Sequence, residues 1–320
     1  MELDGAGGPV PLVFVDMPYC GGAALELGLP PSITGRRKGR DDAPPLPAVF
    51  VGGGGISEAD LEELREATRT LTTKGQIKGL RMLRGSFPLT LANYLDRFAW
   101  KRTFRYFTVL RDPVDRVLAE YAAGPQIEGI GLEDAVRSGA VRDNLQTRML
   151  SGSLEPFGAP SDEMLADAKR NLRERLTFFA LAERIEEAVV LARDRLGLTA
   201  AAYHNELTLP APPGRDELPP GARKLIRRRN RYDVDLYAHA QELFDAHPEL
   251  SQLEFQSEAA ALRASRGKRK IAVTTPMPES FEAGQEAWEM LVRARAECLR
   301  LEWELEGVGP TPALVEAVDA

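Results

Sequence analysis

The chain has 320 residues, 43% of them hydrophobic and 28% charged, the make-up of a soluble globular protein; collagen, a disordered tail and a disulfide scaffold are excluded. Its basic and acidic side chains leave a formal net charge of -7, so no global field draws it to nucleic acid or an anionic membrane, and any anion site is local. The length suits one large α/β domain or two small ones.

The opening Met1 to Pro11 is acidic and rich in Gly and Pro, with no apolar stretch after a basic one, and no window approaches ~18 apolar residues. No signal peptide or membrane span is expected, and the reading is a cytoplasmic protein without membrane partners. The cysteines, Cys20 and Cys298, lie far apart, which argues against a disulfide framework and fits a reducing compartment. With His204, His239 and His247 scattered, no metal site is expected.

Short β-branched runs alternate with helical periodicity, the pattern of a parallel sheet with crossover helices. In chain order, the first strand runs from Pro11 to Asp16, turns at Gly21-Gly22 and enters a helix over Ala23 to Leu29. From Pro30 to Pro47 a Pro-rich loop carries Arg36, Arg37, Lys38 and Arg40, and reads as a mobile loop or lid. A second strand, Ala48 to Gly52, leads through Gly52 to Gly55, a flexible hinge or another anion cradle, into a helix over Ser57 to Thr72. Further strands are expected at Lys78 to Arg84, Phe104 to Leu110 and Thr177 to Leu181, with helices at Val114 to Ala123 and Arg184 to Leu196.

Past Asn205 the strand signals stop. A loop over Pro210 to Pro220 leads to one basic helix, Ala222 to Ala246, whose Arg223, Lys224, Arg227, Arg228, Arg229 and Arg231 form either a solvated face or a surface for a sulfated or carboxylated saccharide. A final helix over Glu282 to Glu306 places Ala287, Leu291, Ala294, Cys298, Leu301 and Leu305 on a heptad seam; it packs on its own domain or pairs two copies as a homodimer.

Two stretches suit anion chemistry. After the first strand, Met17-Pro18-Tyr19-Cys20-Gly21-Gly22-Ala23-Ala24 reads as a turn opening a helix, whose free backbone N–H groups and dipole favour a phosphate or sulfate. It is no Walker A loop, because no G-x-x-x-x-G-K-[ST] is present. The second stretch is Val109-Leu110-Arg111-Asp112-Pro113-Val114-Asp115-Arg116. Here Asp112 caps a helix, Pro113 suits its first turn, and Arg111 stands at the carboxyl end of a strand, facing the same crevice if the sheet is parallel.

These stretches resemble the 5′-phosphosulfate and 3′-phosphate loops of sulfotransferases that use 3′-phosphoadenosine 5′-phosphosulfate (PAPS), in particular the carbohydrate 2-O-sulfotransferase-like branch. Four further stretches agree in order: Leu83 to Pro88, Asp143 to Gly152, Phe179 to Arg184 and Asn230 to Tyr237. The resemblance implies an α/β fold, a P-loop-like three-layer sandwich with a central parallel sheet, spanning residues 1–250 with the 30–47 loop inserted and followed by a helical C-terminal extension over 251–320. It implies PAPS as co-substrate, held by Arg111 at its 3′-phosphate and by Cys20, Gly21, Gly22, Ala23 and Ala24 at its 5′ end. The acceptor would be a saccharide or small-molecule hydroxyl, with no nucleic-acid partner.

The chain departs from the family at positions that carry chemistry. The lysine of the first loop is Tyr19, its neighbouring hydroxyl is Cys20, and the Thr-Ser pair after the glycines is Ala23-Ala24. The histidine that would act as general base is Ser86, and the 3′-phosphate serine is Ala119. Tyr19 and Ser86 are therefore the candidate acceptor-side residues, while Arg36, Arg37, Lys38, Arg81 or Arg84 would be replacement cations, with Asp16 near the acceptor. Cys20 would be an activated thiol if a helix amino terminus lowered its pKa. Two functions follow: sulfuryl transfer with altered parts, or a catalytically inactive relative that binds a nucleotide or anion as scaffold or regulator.

Overall fold

A computed structural model describes residues 10–21, 50–51, 82–90, 104–123, 129–153, 156, 158–196 and 218–265. The strands are β1 (Leu12–Val15), β2 (Phe50–Val51), β3 (Met82–Gly85), β4 (Arg105–Leu110) and β5 (Leu176–Leu181). The helices are α1 (Pro113–Ala123), α2 (Leu132–Ser138), α3 (Leu145–Leu150), α4 (Asp162–Glu174), α5 (Ile185–Arg195), α6 (Pro220–Arg229), α7 (Arg231–Asp245) and α8 (Leu253–Ser265). The chain is an α/β protein whose strands form one sheet in the order β2-β3-β1-β4-β5, every neighbouring pair parallel.

The sheet is central for a reason legible in β1. All four of its residues are buried, and because side chains alternate between faces, both faces of the sheet are covered. Phe14 of β1 lies flat on Phe107 of β4, ring centroids 4.7 Å apart and 6° from parallel. Thr108 adds a bond across the same pair, its hydroxyl donating to the Val15 carbonyl at 2.6 Å.

The main core joins these strands to α3, α4, α5 and α7, and takes in Phe255 and Ala259 of α8. Ion pairs between elements tie the surface over this region: Arg184 with Asp245, Arg193 with Glu258 (2.5 Å), Arg195 with Glu249 (2.7 Å) and Arg263 with both Glu186 and Glu187 (3.9 Å each). A smaller cluster gathers α1, α2 and α6 around Val117, Leu118, Ala135 and Ile226.

Each of the expected strands is present. The expected basic helix is not one helix but two, broken at Asn230. The break has a cause: the Asn230 carboxamide turns away from helical continuation to accept the Asn144 amide at 2.9 Å, while its Nδ2 donates back to the Ile226 carbonyl at 3.0 Å. The expected helices over 23–29, 57–72 and 282–306, and the 30–47 loop, lie outside the described residues. Among the described residues no helix is long and apolar enough to cross a membrane.

Candidate anion-binding crevice

After β1 the chain crosses to β2 on one side of the sheet, and after β4 it crosses to β5 on the other. The adjacent carboxyl ends of β1 and β4 therefore form a topological switch point, the place where open parallel sheets bind ligands. Pro18 to Gly21 follow β1 there, and Arg111 follows β4. The two segments meet directly: Arg111 Nη1 donates to the Tyr19 carbonyl at 3.0 Å.

The turn after β1 is built on positive φ. Tyr19 has φ 64° and Gly21 φ 81°, with the Cys20 amide donating back to the Met17 carbonyl at 3.2 Å. Glycine is the residue for such a position, and at Gly21 an added Cβ would meet nothing within 4 Å, so the requirement there is conformational rather than steric. Tyr19 adopts the same region at a cost. Its phenol is half-buried, and burial, aided by the Glu120 carboxylate, holds its pKa above the ordinary value against the opposing charges of Arg116 and Arg142. It is a neutral hydrogen-bond donor at physiological pH.

Cys20 is different from its sequence expectation. Its side chain is fully buried in the main core, and burial pushes the thiol pKa well up, outweighing the nearby cations Arg116 and Arg111. The thiol is no activated nucleophile; it packs inward and donates to Gln146 Oε1 at 3.7 Å. Only the backbone of Cys20 faces any ligand role.

Ser86 sits half-buried in the bend after β3, next to the bond from the Asp16 amide to the Gly85 carbonyl at 2.9 Å that carries the sheet one step past β1. It is thus at the same carboxyl edge as the Tyr19 turn, as is half-buried Asp16. Gly22, Ala23 and Ala24 lie outside the described residues, as do Arg36, Arg37, Lys38 and Arg81, and of Arg84 only the backbone is described. The cations whose charge reaches Tyr19 are instead Arg116 and Arg142, neither of which sequence reasoning singled out.

Gln146 organises the crevice from below. Buried at the start of α3, its Oε1 accepts the Arg111 amide at 2.9 Å and its Nε2 donates to the Arg111 carbonyl at 2.9 Å, the pairing a neighbouring strand would make. The same Oε1 receives the Cys20 thiol, so one side chain spans the turn after β1 and the end of β4. Gln146 is itself held by Asp233 of α7, whose carboxylate accepts the amides of Gln146 (3.1 Å) and Thr147 (2.7 Å).

A second bracket comes from Glu183, which follows β5. Its carboxylate accepts the Asp112 amide at 2.9 Å and the Tyr237 hydroxyl at 2.5 Å. Asp112 in turn caps α1, accepting the Val114 amide at 2.8 Å. Beneath them Arg116 is fully buried, paired with Glu120 at 2.6 Å and donating to the Arg142 carbonyl at 2.6 Å. Burial disfavours its charge, yet Glu120 and Asp233 hold the guanidinium protonated, above its ordinary value.

The segments over 143–152, 179–184 and 230–237 are therefore wired to one another around Arg111, while 83–88 joins β1 beside them. Polar side chains at element ends, buried Gln146 and Asp233 and exposed Glu183 above all, were the signal that sequence reasoning passed over. Among the described residues no cluster of His, Cys, Asp or Glu suits a metal ion. No known protein-family model matches the chain, and no characterised protein matches it.

Proposed function

We propose that the crevice between the Tyr19 turn and Arg111 holds the phosphate groups of a PAPS-type nucleotide, on a P-loop-like three-layer α/β domain. The protein transfers a sulfuryl group to a hydroxyl of a saccharide or small metabolite. The observation that carries this reading is the Arg111 guanidinium lying against the Tyr19 carbonyl at the switch point of a parallel sheet. In the transfer, the bond from sulfur to the bridging phosphosulfate oxygen breaks as the acceptor oxygen bonds to sulfur, and the acceptor proton passes to a base. Arg111 supplies a fixed, forked cation for the 3′-phosphate, and the neutral Tyr19 phenol, with Ser86, stands on the acceptor side.

The missing groups have a cost that can be sized. Removing one donor aimed at developing charge slows such reactions by about 10²- to 10³-fold, and losing a general base adds roughly 10²- to 10⁴-fold, though the two do not simply add. Arg142, half-buried and close enough to act on Tyr19 electrostatically, is the cation best placed to offset the absent lysine.

A second reading, a binding protein without transfer acting as scaffold or regulator, is favoured by one observation: the Cys20 thiol points into the core, so it contributes no donor where the family has a hydroxyl.

Calorimetry with 3′-phosphoadenosine 5′-phosphate separates the outcomes. Wild-type protein is expected to bind, and Arg111→Ala to weaken binding by about tenfold to a hundredfold while Arg111→Lys loses less. No wild-type binding at millimolar nucleotide overturns the nucleotide site. Binding with sulfate turnover over a saccharide panel supports transfer, whereas binding without turnover selects the second reading. Gain of turnover in Tyr19→Lys/Ser86→His would assign the deficit to those two positions.

A further inference from the structure

Helices α6 and α7 enclose an open groove of about 760 Å³ whose rim carries Arg223, Lys224, Arg227, Arg228 and Arg231. Elsewhere among the described residues several surface arginines pair with acids: Arg137 with Glu133 and Asp134, Arg170 with Asp167, Arg195 with Glu249. Three cations of the groove differ. Among the described residues Lys224, Arg227 and Arg228 are exposed and form no ion pair, and Asp235 is the one acid that lines the groove.

Helix-dipole compensation accounts for only part of this. Arg227, Arg228 and Arg229 occupy the last turn of α6, where cations are favoured, but Arg223 and Lys224 lie in its first half, where they gain nothing from the dipole. Arg231 is held in place, its guanidinium 4.5 Å over the Tyr232 ring and donating to that hydroxyl at 2.6 Å. Like charges at helical spacing repel, so the cluster is costly to the free protein and is relieved by a bound anion.

The rest of the lining discriminates among anions. Leu218 and Val234 contribute apolar surface between the cations, which a fully hydrated polyanion would waste. Among the described residues no aromatic ring lines the groove, so single-stranded nucleic acid finds no stacking platform in them. The surface is concave, unlike the flat basic faces that lie on lipid.

We propose that this groove docks an acidic peptide segment of a partner protein, in which carboxylates flank an aliphatic residue: the carboxylates pair with the guanidinium groups and the aliphatic side chain covers Leu218 and Val234. This surface is separate from the nucleotide crevice and does not rest on sulfuryl transfer.

The test is fluorescence anisotropy on the full chain with a labelled peptide of Asp and Glu around a central Leu. Binding is expected, weakening as salt rises. Exchanging the central Leu for Ser, and separately Arg227→Glu/Arg228→Glu, should each lower affinity about tenfold or more. Arg227→Gln/Arg228→Gln provides a milder pair should charge reversal lower the melting temperature, and Arg111→Ala should bind the peptide as wild type does. Absence of binding, equal affinity for the Leu and Ser peptides, or tighter binding of oligothymidylate or a heparin fragment than of the Leu peptide each overturns the proposal.

Discussion

Gln146 shows how much one buried side chain can organise. A carboxamide can accept at its oxygen and donate at its nitrogen, and here both capacities go to the backbone of Arg111 while the Cys20 thiol shares the oxygen. Gln146→Leu keeps the volume but strands the Arg111 amide and carbonyl, a penalty of about 2 kcal/mol or more, because a buried group without a partner costs its full desolvation. Urea denaturation should read that loss as a lower midpoint with an unchanged slope. The same variant should weaken nucleotide binding, since Arg111 would no longer be held square to the crevice. Little of this was legible beforehand. Residue types reveal which groups are polar, but which polar group meets which is set by segments that approach only in the folded chain, and so Tyr19, Gly21 and Arg111 stood out while Gln146 did not. Cys20 is the clearest divergence: its place before a glycine turn suggested activation, and burial reversed the direction.

At the level of elements, the strands were legible because each is a β-branched or aromatic run bounded by Gly, Pro or charge, and β1 and β4 carry it in pure form. Helix α4 was missed although its sequence announces it: Ser161 accepts the Met164 amide at 3.2 Å as an N-cap, with Asp162 and Glu163 in the first turn. The α6–α7 break was missed for the opposite reason. Nothing in the periodicity across Asn230 stops a helix, and the cause lies in Asn144, 86 positions away in sequence, whose amide claims the Asn230 side chain. Asn144 itself takes φ 47°, and its carboxamide spans the joint, donating to the Arg229 carbonyl at 2.8 Å and accepting the Tyr232 amide at 2.9 Å. Asn230→Ala therefore sets two effects against each other: about 0.7 kcal/mol of helix propensity gained, against about 1–3 kcal/mol for the stranded Asn144 amide. Net destabilisation in a thermal melt is expected; a stabilised variant would mean that the helix break has another origin.

For the whole molecule, buried charge is the unusual feature. Arg116 and Asp233 are both fully buried, and Glu120 nearly so, in a region where isolated charges would each cost several kcal/mol. Asp233 carries the clearest consequence for pH. Burial raises its pKa above the ordinary 3.8, more than the Arg116 charge and the Thr147 and Gln146 amides lower it. The folded chain thus holds this proton more tightly than the unfolded one. Its contribution to stability is greatest below 3.8 and is lost as pH rises through the raised folded value. Asp233→Asn removes that dependence, so urea midpoints for wild type and variant should diverge as pH rises from acid, with the wild type losing stability relative to the variant across that interval. Parallel midpoint curves would show that Asp233 does not titrate in this way.

Composition, periodicity and local turn chemistry were enough to establish an α/β chain and its strands in order, because those properties depend on neighbours within a few residues. Tertiary structure alone decided the strand order, the inward turn of Cys20, the clasp of Gln146 on Arg111, and the gathering of cations around one groove. Each of these depends on which distant groups share a low-dielectric interior or an open surface, and that pairing exists only once the chain has closed on itself.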